Sequence, residues 1–166
     1  MTSGNVYLLK QGLHLLGQIT DEFYVNVASG ITQAGVGGHL RHCLDFYDAF
    51  LRGFRLGKVD YDLRERNELI EKDRLAASAK IEETILLLQQ LSGNQDKELL
   101  VKLEGEQAES LSAWSQSSVR REVQFLLSHT VHHYALIAMV LRLQGFQPAA
   151  DFGIAPSTLK YWQAKA

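Results

Sequence analysis

The sequence predicts an all-α fold, a four-helix bundle, on three observations. Apolar residues recur at helical spacing in four long segments. The only two prolines, Pro148 and Pro156, lie near the C-terminus, so the first 147 residues lack the strongest helix breaker. Gly, Ser and Asn cluster between the segments, where helices stop and start.

The first segment, about Val6 to Val25, carries Val6, Leu9, Leu13, Leu16, Ile19 and Phe23 on one face, and Ser29-Gly30 punctuates it. The second should begin near Gly35 to Gly38 and end at about Phe54, where Gly53 and Gly57 accumulate. Residues Asp60 to Asn67 form a charged link with no clear period. The third helix, about Lys72 to Leu91, is rich in Ala, Leu, Glu and Lys and closes at Ser92-Gly93-Asn94. From Leu99 to Leu111 apolar and polar residues alternate before Glu104-Gly105, which reads as a short β-hairpin or extended crossing. Ser117-Ser118 should cap the fourth helix, which runs to about Gln144 and stops at Gly145. Pro156 opens one last short helix to about Trp162.

The chain of 166 residues reads as a single domain, 1–166, long enough to bury a core without disulfides. A net charge of −2 argues against a nucleic-acid surface, which needs a concentrated basic patch. Charge or histidine interrupts every apolar run before membrane-spanning length, and Lys10 within the first stretch argues against a signal peptide. The single cysteine, Cys43, rules out an internal disulfide and suits the cytoplasm. It lies about 100° from the direction of His42 on the second helix and reads as a buried, inert thiol.

The sharpest chemical signal is Ser128-His129-Thr130-Val131-His132-His133, with three of the six histidines in five positions. On a helix His129 and His133 are i, i+4 neighbours, and two imidazoles at that spacing can share one metal ion. The second helix offers Gly38-His39-Leu40-Arg41-His42-Cys43. At about 100° per residue, His42 and Phe46 share one stripe, and Glu122 shares the His129/His133 stripe two turns earlier. Facing these stripes inward gives a His42/His129/His133 cluster with one coordination position open, the layout of a catalytic rather than a structural metal site. His39 and His132 stand at the stripe edges, as reserve ligands or as groups that orient substrate or a ligand. Each histidine also has an ordinary reading, as a hydrogen-bonded core residue.

Glu122 is the candidate catalytic carboxylate. The competing reading is a first-turn acid favoured by the helix dipole and paired with an arginine. Arg64 and Arg66 could enter the mouth of the site as anion clamps, or belong to a solvated charged loop.

The pattern Gly38-His39-Leu40-Arg41-His42 followed by aromatics, with Ser117-Ser118 leading into a helix that bears His-Thr-Val-His-His, resembles the DinB-like (DinB/YfiT) metal-binding four-helix-bundle superfamily. The resemblance covers essentially the whole chain and implies metal ligation by His42, His129 and His133. It implies Ni²⁺, Zn²⁺ or a similar divalent transition metal. It also suggests a metal-dependent enzyme, a thiol S-transferase-like protein or a hydrolase, activating a low-molecular-weight thiol or water. The alternative is a non-catalytic metal-binding or stress-related interaction protein on the same scaffold.

The second and fourth helices carry a further apolar face behind the histidines: Leu40, Leu44, Tyr47, Leu51 and Phe54 on one, Val123, Leu127, Val131, Tyr134, Ala138 and Leu141 on the other. Charge is confined to one edge of the second helix, with i, i+4 pairs Arg41–Asp45 and Asp48–Arg52. A helix apolar on both sides must be covered on both sides. The expectation is a homodimer through these apolar backs, with tail residues Phe146, Phe152, Ile154, Leu159, Tyr161 and Trp162 covering part of one helix.

Overall fold

A computed structural model describes residues 1–27, 33–91, 96–102 and 113–165. Four long helices make the body: α1 (Ser3–Gln18), α3 (Val36–Leu56), α5 (Arg74–Gln90) and α6 (Val119–Leu143). Short helices α2 (Asp21–Val25), α4 (Glu68–Lys72) and α7 (Pro156–Gln163) and strands β1 (Lys58–Val59), β2 (Glu98–Lys102) and β3 (Trp114–Ser118) complete it. The fold is therefore mainly helical with a small sheet. None of the described helices is long and apolar enough to cross a membrane.

Local chemistry explains the boundaries. The expected first helix breaks in two because the Thr20 hydroxyl accepts a hydrogen bond from Phe23 N–H and starts α2 afresh. Asp73 does the same between α4 and α5, accepting from the backbone N–H groups of Leu75 and Ala76, so α5 matches the expected third helix with its start at Arg74, and α4 precedes it as a separate short helix. Ser118 caps α6 by accepting from Arg121 N–H. Gly57 ends α3 in the left-handed region, φ 73°, where a side chain would be strained. Its carbonyl then accepts from Leu100 N–H, which ties the end of α3 to the sheet.

In the sheet β1 runs parallel to β2, and β2 pairs antiparallel with β3. The expected stretch does supply one strand, β2, but its antiparallel partner β3 lies at 114–118, beyond the alternating residues that suggested a hairpin. Strand β1 has only two residues, too few to show a period. Ser29-Gly30, Glu104-Gly105 with Ala108 and Leu111, and the Ser92-Gly93-Asn94 stop all lie outside the described residues.

Around the bundle the order is α1, α5, α3, α6, each long helix packing on two neighbours. This corrects the sequence reading of the apolar backs. Leu40, Leu44 and Tyr47 of α3, and Val123, Tyr134, Ala138 and Leu141 of α6, are buried inside one chain. Two apolar faces are what a helix needs to touch two neighbours, so these faces do not require a second subunit. The tail contributes one core residue, Phe152, stacked on Tyr134 with centroids 4.7 Å apart, whereas Tyr161 and Trp162 are exposed. Of the expected ion pairs Arg41–Asp45 forms at 2.8 Å, but Asp48 meets Lys80 of α5 and Arg52 turns to Glu65.

A buried polar network sets how α1, α3 and α6 meet. Asn5 Nδ2 donates to the Tyr47 hydroxyl (3.1 Å) and to the Val123 carbonyl (3.0 Å), and the Tyr47 and Thr130 hydroxyls are 3.0 Å apart. At the other end of α3, Gly37 lies so close to α4 that a Cβ would stand 2.0 Å from the Glu71 carbonyl oxygen. We expect Gly37→Ala to destabilise the protein by about 1–3 kcal/mol. Gly17→Ala, on an open helix surface, should stabilise it by up to about 1 kcal/mol. Thermal or urea denaturation of the two variants checks both signs.

Candidate metal centre

The seam between α3 and α6 brings the histidines together. One ring nitrogen from each of His42, His129 and His133 lies within 4.8 Å of the others. His42 Nε2 and His129 Nε2 are 3.2 Å apart. Two nitrogens on one tetrahedral zinc ion, each about 2.0–2.1 Å from it, would be separated by about 3.3 Å, so the pair is already spaced for a shared ion. The three imidazoles are half-buried along the seam, in contrast to the bundle-interior position expected from their stripes.

The reserve histidines separate. His39 Nδ1 lies 3.1 Å from His133 Nδ1. With His133 donating its Nδ1–H to His39, Nε2 of His133 keeps its lone pair for a metal; this is the orienting role a partner to a ligand plays. His132 is exposed and only touches the edge of the His133 ring, with centroids 5.1 Å apart.

Aromatic rings form the wall of the site. The Phe46 ring centroid is 4.3 Å from that of His129 and 4.9 Å from that of His42, and Phe125 lies 5.6 Å from His129. Behind them Tyr61 stacks on Phe46 at 5.1 Å and donates its hydroxyl to Glu122 Oε2 at 2.7 Å. Helical spacing placed Phe46 on the His42 stripe, but nothing singled out Tyr61. An aromatic residue between Asp60 and Asp62 was the available signal, since such a side chain seeks cover in an otherwise charged link.

Glu122 is buried, 1% exposed, and both its oxygens are engaged. Tyr61 holds Oε2, while Ser117 (2.6 Å) and Arg121 (3.0 Å) donate to Oε1. It stands in the first turn of α6 beside an arginine, the arrangement the competing sequence reading described, and reaches the histidines only through Tyr61 and the aromatic wall. Cys43 is buried, and burial pushes its thiol well above the ordinary range. Arg64 lies over Phe46, its guanidinium carbon 4.3 Å from the ring centroid, and Arg66 is exposed with φ 52°.

Burial is the main cause that lowers the basicity of all three clustered imidazoles. His42 falls to about 4, helped by the charges of Arg64 and Arg41. His129 falls to about 4, helped by His42, His132 and Arg64, and His133 to about 3, helped by His129 and His42. His39 is lowered in the same direction. At neutral pH the cluster is therefore uncharged, with lone pairs available, which is the form that binds a metal. Three imidazoles suit zinc, nickel and copper among divalent ions, so the residues present fit the group that the sequence implied.

The family model described as the DinB family matches residues 10–162. A curated relative, FK506-binding protein 5 of Rhizopus delemar, is 35% identical over 106 residues, which is 62% of this chain and 27% of that protein. The chain thus spans about a quarter of the length of the relative it matches. No solved structure matches.

A pH dependence follows for the metal-free protein. The clustered histidines have folded pKa values of about 3–4, below an unfolded value near 6.5, so acid protonates the unfolded chain first. Their contribution is fully present above pH ~6.5 and is lost as pH falls toward ~4. Denaturation midpoints of the metal-free protein should drop across that window. The same scan on a His42→Gln/His129→Gln/His133→Gln variant should be flatter.

Proposed function

The chain belongs to the DinB family, and on that premise we propose that it binds one divalent transition metal through His42, His129 and His133 and uses the ion to activate a low-molecular-weight thiol or water. The observation that carries this reading is the convergence of three uncharged imidazoles along one helix seam, two of them already at the spacing of a shared ion. A bound ion would act as a Lewis acid and bring the pKa of a thiol or water at its open position toward neutrality. Zn²⁺ and Ni²⁺ are the ions we favour, because imidazole suits both and a thiolate is a good zinc ligand.

The chain's own residues have distinct tasks in this reading. His39 orients His133 through the Nδ1 contact. Phe46 and Phe125 shield the site from water on one side and keep its dielectric low. Glu122 acts from a distance by holding Tyr61, which in turn backs Phe46. A second reading, a metal-binding protein without turnover, draws support from that same carboxylate, because neither oxygen of Glu122 is free to move a proton.

Elemental analysis of untagged protein should find about one equivalent of transition metal per chain after incubation with Zn²⁺ or Ni²⁺. His129→Ala should weaken binding by more than about 100-fold, and His39→Ala by about 10–100-fold as the loss of an orienting partner. His132→Ala should leave affinity unchanged. Equal effects of His129→Ala and His132→Ala would refute the ligand assignment. A screen of small thiols against electrophiles, run on the metal-loaded protein, separates turnover from binding alone.

A further inference from the structure

The charged link between α3 and α4 places one arginine at the histidine cluster and leaves one of its nitrogens without an acceptor. Arg64 is half-buried, and its guanidinium lies over Phe46, the ring that touches His42 and His129. Its Nη1 atom is buried and finds no hydrogen-bond partner among the described residues. The acidic groups of the neighbouring elements are held elsewhere. Asp45 and Glu71 both pair with Arg41 at 2.8 Å, Glu65 with Arg52, and Glu122 with Tyr61, Ser117 and Arg121.

A buried guanidinium nitrogen without an acceptor is costly, and the planar fork of arginine pairs with an oxyanion such as a carboxylate through two parallel hydrogen bonds. Beside it the three ligands are neutral, so a bound divalent ion would add positive charge without bringing any negative charge. Both features call for an anionic ligand. We propose that Arg64 is the substrate-anchoring residue of this site and that the thiol or other ligand presented to the metal carries a carboxylate. This deepens the metal-site reading and rests on it. Arg66, exposed and itself in the left-handed region at φ 52°, has no part in the proposal.

The test loads the full chain with Co²⁺ and titrates mercaptoacetate and its neutral counterpart mercaptoacetamide, following the thiolate-to-metal charge-transfer band. Wild-type protein should prefer mercaptoacetate by about tenfold, the scale of one charged hydrogen bond. Arg64→Gln should abolish that preference while Co²⁺ uptake stays at the wild-type level. Arg64→Lys, which keeps the charge but not the fork, should retain part of it and serves as the comparison if the Gln variant does not fold. Equal binding of the two thiols by the wild type would overturn the proposal and leave the metal site standing. So would a preference that survives in Arg64→Gln, since it would then come from chelation by the thiol carboxylate itself. A chain that takes up no Co²⁺ overturns the metal reading, and this one with it.

Discussion

The α3–α6 seam is the constraint on which the rest depends, and a few buried polar contacts set its register. Tyr47 of α3 and Thr130 of α6 meet at 3.0 Å deep in the bundle, and Asn5 reaches across from α1 to the same tyrosine and to the Val123 carbonyl. Each hydrogen bond contributes only about 0.5–1.5 kcal/mol. Their weight lies in geometry, because sliding one helix past the other would leave several buried polar groups unpaired. Thr130 follows His129 directly, and Tyr47 lies five residues after His42. The contact that aligns the core therefore also aligns the imidazoles, and the site inherits its precision from the interior of the bundle.

The electrostatics follow from where that seam lies. At a half-buried edge the histidines lose basicity through burial and through one another, yet stay open to a ligand. Carboxylates are present nearby but are committed to Arg41, Arg52, Arg121 and Tyr61. What is left facing the cluster is Arg64 and its aromatic platform. A guanidinium nitrogen left without an acceptor beside the cluster is an arrangement that suits recognition of an anion.

Much of the site could be read from the residues alone, because helical periodicity is strict. The i, i+4 spacing of His129 and His133 and the stripe through His42 depend only on the turn of the helix, and these three meet as expected. The cap at Ser118 and the opening proline of α7, Pro156, were equally local. What periodicity does not convey is which of two apolar faces points inward. Leu44 and Tyr134 were assigned to an outer surface, although each is buried against neighbours within the same bundle. The break at Thr20 was missed because apolar spacing continues across it, and only a side-chain cap reveals the new start. Tyr61, and the choice between Arg64 and Arg66, were out of reach for another reason. A link without a period gives no direction to its side chains, and the packing of Phe46 decides where Tyr61 and Arg64 lie.

The central claim is that one divalent ion sits on the ring nitrogens of His42, His129 and His133. Crystals of the metal-loaded protein, measured at the absorption edge of the bound element, test it most directly. A single anomalous peak is expected about 2.0–2.1 Å from one nitrogen of each ring, with His39 touching only His133. A peak held by His39 or His132 in place of one of the three, or no peak at the seam in loaded crystals, would contradict it.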